Sequence, residues 1–310
     1  MTPFPILRRE AKHDARHRQL AVLALVLAGA RAFAEAPAGP AAQGELRAAR
    51  LVEAALFARQ AGAEEMARLE KIYAELDEKY PREAAVRNAH AEFLWGTGEP
   101  ERAVKKWDEA LALDPKNTAV LEHLAGAWLA AGDAKKSAAF YARVVESAPE
   151  NAASRFALAN MTFLFRHELL SPAQPDEAAV LDRALAEFAA ASRLAPLNPG
   201  YARSYAETFY SLPKPDWSAA LAAWRHFAEI SPQQDFAQVN LARVHLKLGQ
   251  KDAARACLEK VQGADFQKLK AQLSARLDAG DAPAFTPPPA AQNPPDFSPK
   301  PGIDEPGDAP

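Results

Sequence analysis

Residues 84–117 read AAVRNAHAEFLWGTGEPERAVKKWDEALALDPKN, and residues 118–151 read TAVLEHLAGAWLAAGDAKKSAAFYARVVESAPEN. Set over one another without a gap, the two stretches carry the same residue at six positions, and Trp107 falls on Tyr141. The six matched pairs are Ala85/Ala119, Val86/Val120, Ala91/Ala125, Gly98/Gly132, Pro115/Pro149 and Asn117/Asn151. A period of 34 residues that repeats a small residue, a glycine and a closing proline indicates an array of structural repeats.

Each copy predicts a pair of helices. Leu121, Leu124 and Trp128 recur at steps of three and four residues, which places them on one face of a helix. Gly132 then ends that helix, because glycine adopts the left-handed conformation of a helix end at little cost. A second apolar run of helical period follows and closes at Pro149. One helix pair cannot bury its apolar face alone, so such pairs stack into arrays.

This pattern resembles the tetratricopeptide repeat family, whose unit is a helix–turn–helix of about 34 residues. The family's small residue, alanine, aromatic and closing proline have counterparts in both copies, whereas its leading tryptophan is absent from both. The counterparts are Ala91 and Ala125, Ala103 and Ser137, Trp107 and Tyr141, and Pro115 and Pro149. The resemblance implies an all-α fold, a right-handed α-solenoid of stacked helix pairs.

Weaker copies flank the two clear ones. Glu45–Pro81 is an earlier copy, and further units begin near Ala152, Pro199 and Phe236. We therefore expect about six helix pairs over residues 45–263, followed by a capping helix over residues 264–279, which an open array needs for solubility.

The third unit is longer than the others. Pro149 and Pro196 are 47 residues apart, which is 13 beyond the period, and the excess falls at residues 166–176. Insertions of this kind map to loops on one side of an array. Both a functional loop and a tolerated surface loop fit this pattern.

The two ends of the chain have different compositions. Residues 1–34 combine a basic start, the apolar run Leu20–Ala30 and the small-x-small site 32–34, which is typical of a secretory signal peptide. The apolar run is too short to cross a bilayer comfortably, although an uncleaved anchor is an alternative. Residues 35–44 are predicted to be a linker, and the proline-rich acidic residues 280–310 are predicted to be a disordered tail.

The sequence offers little catalytic chemistry. A net charge of −3 excludes a broad basic footprint for nucleic acid. Cys257 is the single cysteine, so no cysteine pair can form a disulfide within the chain or hold a structural metal. His167 and Glu168 are not followed by a second histidine one turn later, as a zinc-protease helix requires. We predict no catalytic residues, no cofactor, no metal site and no enzymatic activity.

In the resembled family, the first helix of each pair lines a concave groove that holds a peptide or a partner helix. The resemblance therefore implies a protein-interaction scaffold whose partner is a protein or peptide, without nucleic acid and without stable membrane insertion after signal cleavage. The groove candidates are Asn88, Glu92, Trp95, Glu122, Phe156, Asn160, Arg203, Glu207, Tyr210 and Arg243. Glu92 and Glu122 disfavour the chaperone C-termini that one carboxylate-binding subset of the family holds.

Other functions fit the same residues. The chain could be a structural spacer or assembly subunit of a cell-envelope complex, or a solenoid that binds a polymer. For the groove function we expect Tyr210 and Arg203 to contact the partner with little effect on stability. For Phe156 two roles are possible: it contacts the partner in the same way, or it fills the space between neighbouring first helices. The predicted location is exported, either periplasmic or secreted, and a membrane-anchored protein is the alternative.

The predicted cleavage site can be tested directly. If signal peptidase acts after residue 34, the mature protein begins at Glu35, and its intact mass lacks residues 1–34. Mass spectrometry of the native protein measures this. A mass that retains Leu20–Ala30 would instead support the membrane anchor.

Overall fold

A computed structural model describes residues 39–171 and 176–278, and helices form the body of this part of the chain. The predicted signal peptide at 1–34 and the predicted tail at 280–310 lie outside the described residues, as do residues 35–38 of the linker and 172–175 of the insertion.

Thirteen α-helices follow one another in the described residues. Their bounds are α1 Pro40–Ala58, α2 Ala63–Lys79, α3 Ala84–Gly96, α4 Pro100–Leu113, α5 Thr118–Ala130, α6 Ala134–Ser147, α7 Ala152–Leu164, α8 Glu177–Leu194, α9 Pro199–Thr208, α10 Trp217–Ile230, α11 Gln234–Lys247, α12 Lys251–Glu259 and α13 Gln267–Asp278. Short 3₁₀ turns at Phe209–Ser211 and Ala264–Phe266 join the last elements.

The helices form six successive pairs, and α13 packs on α11 and α12 after the last pair. Each helix contacts its neighbours in chain order, so the array is built from local contacts. The predicted all-α solenoid of about six pairs is confirmed, and a helix occupies the place predicted for the cap.

The linker predicted at 35–44 does not extend to residue 44, because α1 begins at Pro40. Proline is favoured at the first position of a helix, where its fixed backbone angle suits the helix and its missing N–H is not needed. Alanine, which is frequent in this stretch, is the strongest helix former. A composition that resembles a linker is therefore also the beginning of a helix.

Helix ends follow the local residue chemistry predicted from the repeat. The side-chain oxygens of Asn117, Asn151 and Asn198 accept hydrogen bonds from the first backbone N–H groups of α5, α7 and α9. Such N-caps satisfy donors that have no partner within the helix. Gly98 and Gly132 have φ values of 87° and 81°, which end α3 and α5 in the left-handed conformation.

Small residues recur at buried positions of the repeat. One set lies on the first helices, at the same repeat position, and every member is fully buried: Ala91, Ala125, Ala159, Ala206 and Ala242. A second fully buried set lies on the second helices: Ala103, Ser137, Ala184, Ala220 and Ala254. Large side chains such as Trp107, Phe188 and Trp224 fill the remaining interior.

The longer third unit has its excess between α7 and α8, as the spacing of the prolines predicted. The Arg166 Nε atom donates to Glu177 Oε1 at 2.8 Å, and its Nη1 atom donates to the Phe163 carbonyl at 3.1 Å. Arg166 thereby ties the beginning of the insertion to the helices on both sides.

The closely packed alanines give a test of the packing. Ala125→Leu and Ala159→Leu should each destabilise the fold by about 1–3 kcal/mol, because added methylenes overpack a contact that has no free space. Urea unfolding measures the change in free energy. Ala139 is exposed on α6, so Ala139→Leu is the matched control and should change little. Equal midpoints for all three variants would contradict the packing.

Candidate functional site

The groove candidates lie on α3, α5, α7, α9 and α11 and in the turn after α9. The side chains at these positions do not form one uniform surface. They divide into an N-terminal polar network, a buried central carboxyl group, a half-buried aromatic contact and a C-terminal cluster of cations and aromatic rings.

Asn88 does not face an open groove, because it is only 1% exposed. Its Oδ1 atom accepts a hydrogen bond from Trp107 Nε1 at 3.0 Å, and its Nδ2 atom donates to Glu92 Oε1 at 2.8 Å. A buried indole N–H needs an acceptor, and Asn88 supplies it. The groove role predicted for Asn88 is wrong, because its amide is buried and is hydrogen-bonded to Trp107 and Glu92.

Glu92 joins three first helices. Arg50 on α1 donates to Glu92 Oε2 at 2.8 Å, and His123 Nε2 on α5 lies 2.8 Å from Oε1. Burial raises the pKa of Glu92, but the hydrogen bonds from His123 and Arg50 outweigh burial and hold this pKa below its usual value. The carboxylate is charged and its oxygens are engaged within the protein.

Aromatic packing surrounds this network. The ring of His123 stacks on Trp107 with centroids 5.1 Å apart, and half-buried Trp95 packs against the same indole at 5.6 Å. Arg50, Asn88, Glu92 and His123 therefore form a continuous polar strip across α1, α3 and α5, which we call the N-terminal strip.

Glu122 is also buried, with 8% of its surface exposed. It therefore does not line an open groove, although the sequence predicted that it would. Burial raises the pKa of Glu122 from 4.5 to about 8, an increase that the nearby Ser154 hydroxyl reduces only in part. Burial, followed by the charge of Glu122, also raises the pKa of Tyr141 on α6. Near neutral pH the Glu122 carboxyl group is therefore mainly protonated.

Phe156 lies between neighbouring repeats. Its ring is 4.5 Å from that of Tyr201 on α9 and 5.6 Å from that of Phe188 on α8. These contacts match the space-filling alternative. Asn160, one turn further along α7, is half-buried.

The C-terminal candidates form a cluster in which cations lie over aromatic rings. The Arg203 Nε atom on α9 donates to Glu207 Oε1 at 2.9 Å, and the Arg203 guanidinium lies 4.4 Å from the centre of the Phe236 ring on α11. Arg243 lies 4.4 Å from the Tyr210 ring centre. We call Arg203, Glu207, Phe236 and Arg243 the C-terminal cluster.

Tyr210 packs against other aromatic residues, which favours a structural role over the predicted role as a partner contact. Its ring lies 5.7 Å from Trp217 and 6.1 Å from Trp224, in addition to Arg243. Burial raises its pKa, with the positive charge of Arg243 opposing that change. Loss of this ring would leave a cavity among large side chains.

Three residues of these sites were not predicted from the sequence: Arg50, His123 and Phe236. A usable signal existed for His123, since Glu92 and His123 are 31 residues apart, one period less one helical turn. Side chains with that offset meet across neighbouring first helices. No comparable signal marks Arg50, because the first unit departs from the repeat length.

The described residues were also compared with the requirements for a metal site and for a membrane-spanning helix. Across 39–171 and 176–278, no three His, Cys, Asp or Glu side chains are grouped so as to hold a metal ion. Within the same ranges, none of the helices has the length and apolar character needed to span a bilayer.

Comparison with known proteins agrees with the repeat pattern. Residues 94–160 and 237–268 each match a tetratricopeptide repeat family model. No curated protein matches the chain. The two matched stretches are similar to tetratricopeptide repeats, in agreement with the six helix pairs of the described residues.

Several solved structures resemble the chain at low identity. YrrB, described as a TPR protein with an unusual peptide-binding site, is 17% identical with a TM-score of 0.49, covering 66% of this chain and 97% of YrrB. TTC0263, a thermophilic TPR protein of Thermus thermophilus, is 17% identical with a TM-score of 0.35, covering 63% and 97%. PilF of Pseudomonas aeruginosa is 16% identical with a TM-score of 0.45, covering 78% and 100%.

The buried carboxyl group of Glu122 predicts a pH dependence of stability. The folded protein holds this proton up to a pH of about 8, whereas the unfolded chain releases it near 4.5. The stability that protonated Glu122 contributes is complete below pH 4.5 and is lost as the pH rises to 8. Glu122→Gln, which cannot ionise, should therefore gain stability over the natural protein as pH rises, on the order of a few kcal/mol.

Urea unfolding at pH 5 and pH 8.5 measures this difference. Glu146→Gln is the matched control, because Glu146 is exposed on the adjacent helix α6, and it should show no such trend. If the free energy of unfolding changed with pH in the same way for Glu122→Gln and for the natural protein, the carboxyl group would be exposed to solvent and the prediction would be contradicted.

Proposed function

We propose that this protein is a non-catalytic interaction scaffold that binds a protein or peptide segment along the face formed by its first helices. The observation that carries the proposal is the C-terminal cluster, where the partly buried Arg203 and Arg243 lie over aromatic rings. Arginine presents a rigid planar set of donors, and arginine with aromatic residues dominates binding hot spots. The repeats support it further, since tetratricopeptide repeat proteins are generally protein-interaction scaffolds.

The proposed contact surface includes only some of the ten groove candidates. Its core is Arg203, Glu207 and Arg243, which are partly exposed, as is Asn160 on α7. Asn88 and Glu122 are excluded by their burial. The oxygens of Glu92 are already bonded to Arg50 and His123, so a ligand there would have to replace these contacts.

The N-terminal strip favours a second role for that half of the chain. A face that is occupied by its own ion pairs across three helices stiffens the array. In this second proposal residues 40–130 act as a spacer within an assembly, in the manner of the envelope subunit considered above.

Export remains part of the proposal. Processing after residue 34 would place the mature chain in the periplasm or outside the cell, and a retained segment would anchor it to a membrane. This rests on the composition of residues 1–34 alone, which lie outside the described residues.

Peptide selection on the full chain tests the groove function. Peptides selected from a displayed library against the immobilised protein should bind Arg203→Ala at least tenfold more weakly, which is about 1.4 kcal/mol. Arg203→Lys keeps the charge without the planar donors and should recover only part of the affinity. Lys105 is exposed on α4 outside the cluster, so Lys105→Ala is the matched control.

Thermal melts separate binding from folding in the same experiment. Arg203→Ala should melt close to the natural protein, since a half-exposed cation–π contact contributes only about 0.5–1 kcal/mol. Tyr210→Ala should lose several kcal/mol of stability, as truncation of packed aromatic residues does. Selected peptides that bind equally to Arg203→Ala and to the natural protein would refute the groove assignment.

A further inference from the structure

We propose that two copies of this chain associate through the outer face of their first helix pair, α1 and α2, in a dimer with two-fold symmetry. Five residues define this surface, which we call the end face: Ala48, Leu51, Val52 and Ala55 on α1 and Ile72 on α2. The proposal is independent of the groove function, because it requires only the chain itself.

The end face contains large apolar side chains that are open to solvent. Leu51 is 65% exposed, Val52 is 45% exposed and Ile72 is 41% exposed. Ala48 and Ala55 are exposed on the same side of α1, since residues three or four apart are neighbours on a helix. Single exposed apolar residues are common, whereas a contiguous group of them marks an interaction surface.

Two ion pairs fix how α1 and α2 lie beside one another. Lys79 Nζ on α2 lies 2.6 Å from Glu45 Oε1 near the beginning of α1. Arg59, which follows the last residue of α1, is paired with Glu65 near the beginning of α2. The two helices are therefore antiparallel, with one ion pair at each end.

The apolar residues lie midway between these ion pairs. Val52 is seven residues from both Glu45 and Arg59, and Ile72 is seven residues from each of their partners on α2. Seven residues make about two helical turns, so Val52 and Ile72 point to the same side as the ion pairs. The end face is therefore an apolar centre between two charged ends.

The equivalent surface of the next helix pair is covered by α2. Asp77 on α2 lies 2.7 Å from both His90 on α3 and Lys106 on α4, so α2 packs across the outer side of that pair. Lys106 is 34 residues after Ile72 and occupies the same position of the repeat. Ile72 therefore marks a place where a further helix would lie, and α1 is the first helix of the described residues.

The opposite end of the array has a cap. Leu273 and Leu277 of α13 are buried where this helix packs on the last pair. Repeat arrays need a polar outer face at their ends to remain soluble. The end face lacks this polar character, which makes it suited to association with another helix pair.

The charges at the two ends of the end face are complementary to those of a second copy. A two-fold interface brings the same surface of both copies together. A half-turn about an axis that crosses the middle of both helices sets α1 antiparallel to α1 of the second copy. Glu45 then faces Arg59 of the second copy, and Lys79 faces Glu65 of the second copy. Each carboxylate thus meets a cation.

Two further charges favour this orientation. Arg68 and Glu75 are exposed on α2, four residues before and three residues after Ile72. With α2 antiparallel to α2 of the second copy, Arg68 of each copy lies near Glu75 of the other. A half-turn about an axis parallel to the helices would instead set both charges over Ala48 and Ala55, which offer no polar partner.

The size of the end face suits a dimer that dissociates on dilution. α1 has 19 residues. At a rise of about 1.5 Å per residue this helix is about 28 Å long, and two helices side by side are about 20 Å wide. Two such faces would together bury about 1,100 Å², which is near the lower end of specific interfaces.

Sedimentation velocity of the purified full chain over a range of concentrations tests the association. We expect a monomer–dimer equilibrium, and Leu51→Glu should weaken the dimer at least tenfold, because it buries a carboxylate in the apolar centre of the interface. Leu51 is the most exposed of the large residues of the end face, so its melting temperature should change little. Leu197→Glu is the matched control, because Leu197 is 81% exposed in the turn before α9, and this variant should dimerise as the natural protein does.

Two results of this experiment would overturn the proposal. One is a protein that stays monomeric at the highest concentration. The other is an association that Leu51→Glu leaves unchanged, since a different surface would then join the copies.

Charge reversal tests the two-fold arrangement itself. Arg59→Glu and Glu45→Arg should each weaken the dimer that the variant forms with itself, because like charges then face one another across the interface. In a mixture of the two variants each reversed residue meets an opposite charge, so the mixed dimer should recover the affinity of the natural protein. The melting temperatures should stay close to that of the natural protein, because exposed ion pairs contribute little to stability.

Native mass spectrometry with one variant ¹⁵N-labelled distinguishes the mixed dimer from the two self-dimers. An excess of the mixed dimer over both self-dimers is the expected result. A statistical distribution of the three dimers, or no dimer in the mixture, would refute the antiparallel arrangement.

Discussion

The structure depends on the close approach of helices at the buried small residues. Ala91, Ala125 and Ala159 occupy the same repeat position and are fully buried. Helices pack with their axes about 8–10 Å apart, according to the side chains at the contact. A larger residue at these positions would separate the helices and change the tilt of every unit after it. The alanine spacing thus sets the geometry of the whole array.

Close packing around small residues also determines where polar groups must be satisfied. Trp107 is buried in the same cluster as Ala91 and Ala103, so its indole N–H lies in the interior, where it donates to Asn88. Between the first two pairs, Asp77 Oδ2 lies 2.7 Å from both His90 Nδ1 and Lys106 Nζ. Burial raises the pKa of Asp77, but the hydrogen bonds from His90 and Lys106 hold it below its usual value. These polar side chains in the N-terminal half of the chain are hydrogen-bonded or paired within the protein.

The local features of the fold were predictable from the sequence, because each depends on residues close together in the chain. Gly132 ends a helix and Asn151 begins one through backbone chemistry within a few residues. The buried alanines follow from the repeat itself. The beginning of α1 was missed because proline and alanine near residue 40 fit both a linker and a helix start.

The candidate site was predictable only in part, because exposure depends on what the neighbouring helix contributes. Asn88 has the right position for a groove residue, but Trp107 on α4 requires its amide. Tyr210 lies beyond the end of α9 in a 3₁₀ turn, whose tighter winding changes the direction of its side chain relative to a continued helix. It therefore joins Trp217 and Trp224. Arg203 lies within regular helix, and its side chain remains partly exposed.

Charge is distributed unevenly along the first helices, and the overall charge of −3 conceals this. At the N-terminal end the carboxylate of Glu92 is neutralised by Arg50 and His123. In the centre, Glu122 keeps its proton at neutral pH because burial penalises the charged form. At the C-terminal end, Arg243 and Lys247 keep their charge over aromatic rings. Burial and local pairing, rather than the net charge, therefore decide the charge state of each part of this face.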